Sequence, residues 1–187
     1  MKAIANMSAE ELAGLVCDAL RCAGITVTLT GGACVGIWSN GRYTSDDLDF
    51  IEEGPVPRRA VRQVMETLGF SARGRYFVHA ATKLFVEFPT GPLMVGDQRV
   101  ERVAERKTPF GVLRLLSPTD CVKDRLAAFF HWNDRQALEQ AVLVARAQRI
   151  SLKDLRDWSV SERNLEKFNT FEKKLMTKGR QTKRRRP

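Results

Sequence analysis

Apolar residues recur at helical spacing near the N-terminus, where Leu12, Leu15, Val16, Ala19 and Leu20 fall on one side of a predicted helix. Ser8 and Glu11 frame its start as a capping box, and Gly24 marks its end. The period then changes. Residues 26–29 read as a short strand, Gly31 and Gly32 as a turn into a second helix, and the stretch ending at Phe50 as a second strand. In that strand Leu48 and Phe50 face one way and Asp47 and Asp49 the other, because successive side chains alternate. Pro57 begins a third helix with Val61, Val64, Met65 and Leu68 as its stripe, closed by Gly69.

Strand-like runs follow at 76–79 and 83–88, joined by an Ala-Ala-Thr turn. In the second run Leu84, Val86 and Phe88 share a face, which leaves Phe85 and Glu87 on the other. Residues 89–92 and the Gly96-Asp97 pair are turns, residues 100–107 are dense in charge without a clear period, and 112–115 form a last short strand. From Ser117 onward every period is helical. Ser117-Pro118 starts a helix that buries Val122, Leu126, Phe129 and Phe130, with Asp120, Lys123 and Asp124 on another side. Helices around Leu138, Ala141, Val142 and Ala145, around Leu155 and Trp158 behind Ser151, and around Leu165 and Phe168 complete the chain. The order predicts an α+β fold: a small mixed sheet flanked by helices in residues 1–116, a helical region in 117–172, and a basic, flexible tail in 173–187.

Composition narrows this further. With 187 residues, 43% of them apolar, the chain suits one domain or a domain with a helical annex. No apolar run approaches the roughly 18 residues that a bilayer span needs, and no signal-peptide pattern opens the chain. Cys17, Cys22, Cys34 and Cys121 show no Cys-x-x-Cys spacing, so reduced thiols, three of them buried, in a cytoplasmic protein are expected. Having only His79 and His131 besides argues against structural zinc. The formal net charge is +9, but eight of the 31 basic residues and no acidic ones lie in 173–187, leaving 23 basic against 22 acidic elsewhere. Such a tail is either a solvated terminus or, through the basic run at 183–186, an electrostatic handle for nucleic acid.

Two features carry candidate chemistry. Asp47 and Asp49 project side by side; they are either part of a solvated face or a pair that needs a shared proton or a hard cation such as Mg²⁺. Glu87, in the middle of an apolar strand, calls for compensation by a metal ion or by a nearby Arg or Lys. The glycines upstream strengthen the metal reading, because a bare backbone at a helix N-terminus can cradle phosphate.

The segment from Gly31-Gly32 to Ser45-Asp46-Asp47-Leu48-Asp49-Phe50 resembles the signature of the DNA-polymerase-β-like nucleotidyltransferase superfamily: a Gly-Gly turn, a spacer, then Ser/Thr-x-Asp-h-Asp-h with h apolar. Arg42 and Thr44 resemble the lead-in found in its AbiEii-like toxin and minimal nucleotidyltransferase branches, although Ala33 stands where many members carry a hydroxyl. The resemblance implies transfer of a nucleotidyl group from an NTP to an acceptor with release of pyrophosphate. Mg²⁺ or Mn²⁺ would be held by Asp47, Asp49 and Glu87, and the NTP by Gly31, Gly32, Ser45 and Lys123. Residues 120–125 and 131–135 are similar in order and distance to helical segments that supply a phosphate-binding lysine, with a surface ion pair as the alternative for Lys123. It also implies an RNA (tRNA), protein or small-molecule acceptor, and a toxin role with a cognate antitoxin. A fold kept without catalysis, as a nucleotide- or RNA-binding module, is the alternative.

Overall fold

The computed structural model describes residues 3–177; the basic run at 183–186, on which the nucleic-acid expectation rests, lies outside them. A 3₁₀ turn at Ile4–Asn6 leads into α1 (Ala9–Cys22), whose start carries the capping box: Ser8 Oγ accepts from Glu11 N, and Ser8 N donates to the Glu11 carboxylate. Next come β1 (Val27–Thr30), α2 (Gly31–Trp38), β2 (Asp47–Glu52), α3 (Arg58–Thr67), β3 (Ser71–Arg73), β4 (Tyr76–Val78) and β5 (Phe85–Glu87). A small hairpin of β6 (Met94–Val95) and β7 (Gln98–Arg99) precedes β8 (Val103–Thr108) and β9 (Gly111–Leu116). Four helices end the described chain: α4 (Pro118–Trp132), α5 (Arg135–Ala147), α6 (Leu152–Ser161) and α7 (Leu165–Met176). Lys173 and Lys174, assigned to the tail on sequence, thus belong to the last helix.

Seven strands form one mixed sheet in the order β3-β4-β5-β2-β1-β9-β8. Strand β1 runs antiparallel to β2 and parallel to β9, and β2 runs parallel to β5. One face is apolar: Val27, Leu29, Leu48, Phe50, Phe77, Val86, Leu113 and Leu115 are buried there, and α1 packs against β1 and β9. Alternation turns a polar set to the opposite face, from Glu105 and Arg114 through Thr28 and Thr30 to Asp47, Asp49, Glu53 and Glu87. Hydrogen bonds confirm that shared face, since Glu53 Oε1 accepts from Thr28 Oγ1 at 2.8 Å and from Arg114 Nη2 at 2.7 Å.

Besides the two short strands of the β6–β7 hairpin, two strands of the main sheet depart from the sequence expectation. Strand β8 occupies the charged stretch, and its charges are placed by period: Arg106 turns inward to Glu10 of α1 at 2.7 Å with its guanidinium over the Trp38 ring, while Glu105 faces Arg114. As an edge strand it tolerates this composition. Strand β3 is the other edge and is exposed throughout, so no apolar alternation marked it. Cys17, Cys34 and Cys121 are buried and Cys22 exposed, all as free thiols.

Helix α2 is apolar around most of its circumference because it is enclosed by sheet and helices. It packs on β1 and β2 on one side and on α4 and α5 on the other. Trp38 Nε1 donates to Leu116 O at 2.9 Å and Gln148 Nε2 to Trp38 O at 2.8 Å, which fixes its far end to β9 and α5. Its N-terminus is thereby aimed at the polar face. Phe50 is fully buried on the apolar face, stacked on Phe88 with ring centroids 6.0 Å apart. Phe50→Ala is expected to cost about 3–5 kcal/mol of unfolding free energy, read from the shift in denaturant midpoint.

Candidate active site

Strand register assembles the acidic group. Asp49 pairs with Glu87 across the parallel β2–β5 ladder, and Asp47 lies two residues back on the same face. Asp47 is oriented by Ser45, whose hydroxyl donates to Asp47 Oδ1 at 2.5 Å. Glu87 forms an ion pair with Arg75 of the β3–β4 turn, Nε to Oε1, at 3.3 Å. Asp46, the remaining acid of the motif, turns outward to Lys83 at 2.8 Å.

The glycines are explained by contact. Gly31 is the first residue of α2 rather than a turn ahead of it, with φ +66°, and a Cβ there would lie 2.5 Å from Asp49 Oδ2. Only glycine suits both the backbone angle and the carboxylate beside it. At Gly32 a Cβ would come within 2.9 Å of Ser45 Oγ. Both glycines therefore let Asp49 and Ser45 close on the first turn of α2. Thr30, at the cap position, gives α2 no side-chain hydrogen bond; its hydroxyl donates instead to Asp49 O at 3.3 Å. The first N–H groups of α2 are left without that side-chain cap, at the positive end of the helix.

Electrostatics make this group unstable as three bare anions. Burial, then the neighbouring Asp47 and Glu87 charges, push the Asp49 carboxyl up to about 6, against a smaller opposing pull from Arg125. Hard oxygen donors that repel one another suit Mg²⁺, which is commonly held by one or two carboxylates together with substrate phosphates. Asp47 and Asp49 meet that requirement and Glu87 lies next to them. Among the described residues no three acids, histidines or cysteines converge as a ready-made metal cage, and Glu87 is paired with Arg75.

The structure thus brings together Gly31, Gly32, Ser45, Asp47, Asp49 and Glu87. Lys123 stands apart from them. It is buried, with Nζ donating to Gln98 Oε1 at 3.0 Å and 3.6 Å from Asp120 Oδ1, and it lines a cavity beneath the β6–β7 hairpin with Trp158 and Glu162. The α4 cation whose charge acts on Asp49 is Arg125, held by Asp124 at 2.5 Å and missed in the sequence. Two residues apart on a helix point about 200° away from each other, so Lys123 and Arg125 serve opposite sides of α4. Asp134 is an N-cap, accepting from Ala137 N at 3.0 Å.

A cavity of about 630 Å³ adjoins the group, lined by Ala33, Gly36, Tyr43, Ser45, Asp46 and Lys83 among others. A larger one, about 780 Å³, lies at the far end of β2 around Glu53, Pro55, Pro92 and Arg114; none of Asp47, Asp49 and Glu87 lines either cavity. Of the two, the first shares a residue with the group, Ser45, whose hydroxyl donates to Asp47.

No protein-family model matches the chain, and no curated protein matches it in sequence. Two solved structures do match in fold. The solution structure of the antibiotic-resistance factor ANT(2'')-Ia covers 85% of this chain and 92% of its own, with a TM-score of 0.50 and 12% identity. A crystal structure of ANT(2'')-Ia in complex with adenylyl-2''-tobramycin covers 86% and 94%, with a TM-score of 0.47 and 12% identity. Among the described residues, the mixed sheet flanked by seven helices has a nucleotidyltransferase-type fold. Among the described residues no helix is long and apolar enough to cross a membrane.

The Asp49 shift has a stability consequence of fixed sign. Its ordinary value is 3.8 and its folded value about 6, so the fold favours the protonated form. That contribution is complete below pH 3.8 and is lost as pH rises through about 6. The metal-free protein is therefore weakened by about 3 kcal/mol at neutral pH. Asp49→Asn is expected to raise the melting temperature at pH 7.5 and to leave it nearly unchanged at pH 4. Equal shifts at both pH values would contradict this origin.

Proposed function

We propose that this protein is a metal-dependent nucleotidyltransferase that moves a nucleotidyl group from an NTP to a hydroxyl of an acceptor. The observation that carries the reading is the Asp49 carboxyl. It is pushed up by burial beside Asp47 and Glu87, and it lies against Gly31 at the open N-terminus of α2. Acids clustered beside a helix N-terminus suit a ligand that is anionic yet brings its own cation, and a metal-bound triphosphate is such a ligand. The nucleotidyltransferase-type fold supports the same conclusion.

In this proposal Asp47 and Asp49 hold Mg²⁺, with Glu87 joining them once released from Arg75. When bound, the cation neutralises the carboxylates and draws charge from the phosphate oxygens. The first turn of α2, kept free of side chains at Gly31 and Gly32, takes the β- and γ-phosphates by its N–H groups. Ser45 keeps Asp47 in one rotamer through the 2.5 Å hydrogen bond. The acceptor oxygen attacks the α-phosphorus, the bond to the β-phosphate oxygen breaks, and pyrophosphate leaves. The acceptor's proton passes to a clustered carboxylate. Arg75 and Arg125 flank the group from the turn and from α4, where positive charge offsets charge on the transferring phosphates.

Two observations favour a second reading, a nucleotide-binding module without turnover: Glu87 is engaged by Arg75, and position 33 is alanine. One experiment separates the two. Purified protein is incubated with each α-³²P-labelled NTP, Mg²⁺ or Mn²⁺, and total RNA or an aminoglycoside, beside an Asp47→Ala/Asp49→Ala variant. The expected result is label in an acceptor, reduced at least about 10³-fold in the variant. Metal-dependent NTP binding with no label moved to RNA, to protein or to the small molecule would favour the module instead.

A further inference from the structure

Charge on the folded part is concentrated in one place. Residues 58–78 carry five arginines, Arg58, Arg59, Arg62, Arg73 and Arg75, and a single acid, Glu66. That is a net of +4 inside residues 1–172, whose total is only +1. The fold gathers these side chains along the β3 edge of the sheet. Val61 and Met65 turn one side of α3 into the core, which leaves Arg59 and Arg62 exposed. Arg58 and Arg62 lie one turn apart on the same flank. Arg58 Nη2 donates to Arg75 O at 3.4 Å, so that flank meets the tip of the β3–β4 turn. Arg73 lies in the exposed edge strand itself.

Exposed arginines on a helix are ordinarily balanced by acids a turn away, but these are not. Glu66 stands four residues after Arg62 yet makes no ion pair with it, and Arg59, Arg62 and Arg73 have no hydrogen-bond or ion-pair partner among the described residues. Arg58 donates to Phe88 O at 3.0 Å as well as to Arg75 O, and Arg75 is the one of the five in an ion pair among the described residues, with Glu87, the register neighbour of Asp49. The basic surface therefore ends at the candidate active site.

We infer that this surface binds the phosphodiester backbone of RNA and leads the end of an RNA acceptor to Asp47 and Asp49; the acceptor role rests on the nucleotidyltransferase reading above. Planar guanidinium forks match phosphate oxygens in pairs. A chain of phosphates follows the arginines as far as Arg75, where the carboxylates repel further phosphates and admit a terminal hydroxyl. An acidic polypeptide satisfies the charge but has no terminal ribose hydroxyl to offer, and the test sets it against RNA.

The test uses the full chain and a fluorescein-labelled single-stranded RNA oligonucleotide, with binding followed by anisotropy over a range of KCl concentrations. Wild type is compared with Arg59→Gln/Arg62→Gln/Arg73→Gln and with Lys183→Gln/Arg184→Gln/Arg185→Gln/Arg186→Gln, each also titrated with Mg²⁺-ATP. The expected result is a log–log salt slope shallower by about 2 in the arginine variant, since each lost phosphate contact on a single strand removes about 0.7. ATP binding should be unchanged and polyglutamate should compete poorly. An unchanged slope and affinity in the arginine variant, with loss only in the 183–186 variant, overturns the proposal, as does equal competition by polyglutamate. Arginine-dependent RNA binding with no ATP binding in any form supports the surface and counts against the nucleotidyltransferase reading alone.

Discussion

Repulsion among Asp47, Asp49 and Glu87 is the constraint around which the polar face of the sheet is arranged. Three carboxylates on adjacent strands are held there by covalent alternation and by ladder register, neither of which the side chains can escape. The surroundings answer that stress piece by piece. Ser45 donates to Asp47, Arg75 pairs with Glu87, and Arg125 acts on Asp49 from within α4. Burial first, and then the Asp47 and Glu87 charges, still push the Asp49 carboxyl up to about 6. Under the proposed function a cation would ease that stress, as metal-assisted phosphoryl chemistry requires.

The rest of the fold serves to hold that arrangement still. The apolar face packs under α1, so β1, β2 and β9 cannot slip without exposing Leu29, Phe50 and Leu115. Helix α2 is anchored at its far end by Trp38 on Leu116, and its glycine-bearing start is pressed against Asp49 and Ser45. Two linked requirements meet at Gly31. The left-handed angle and the 2.5 Å approach to the carboxylate both exclude a side chain.

Much of this was legible in the sequence, and the limits have physical causes. Alternation alone placed Asp47 with Asp49, and set Glu87 on the opposite face from Leu84, Val86 and Phe88. What alternation could not give was the β2–β5 register, a tertiary pairing that puts Glu87 beside Asp49. Helical period drew Asp120, Lys123 and Asp124 to one side of α4 but could not say which side meets the site, so Arg125 was passed over. Strand β8 hid because an edge strand can carry Glu105, Arg106 and Lys107 when α1 and Arg114 supply the partners. The arginine surface was masked by summation, since residues 1–172 balance to +1 while α3 and the β3–β4 turn do not.

The central claim is that the acidic group is a cation site whose stress rests on Asp49, and side-chain ¹³C NMR of the carboxyls tests it most directly. Titration of wild-type protein without metal should find Asp49 near 6, and addition of Mg²⁺ with a non-hydrolysable NTP analogue should bring it down into the ordinary carboxylate range. An Asp49 signal that titrates near 3.8 without metal, or that Mg²⁺ and the analogue leave unmoved, would contradict the account.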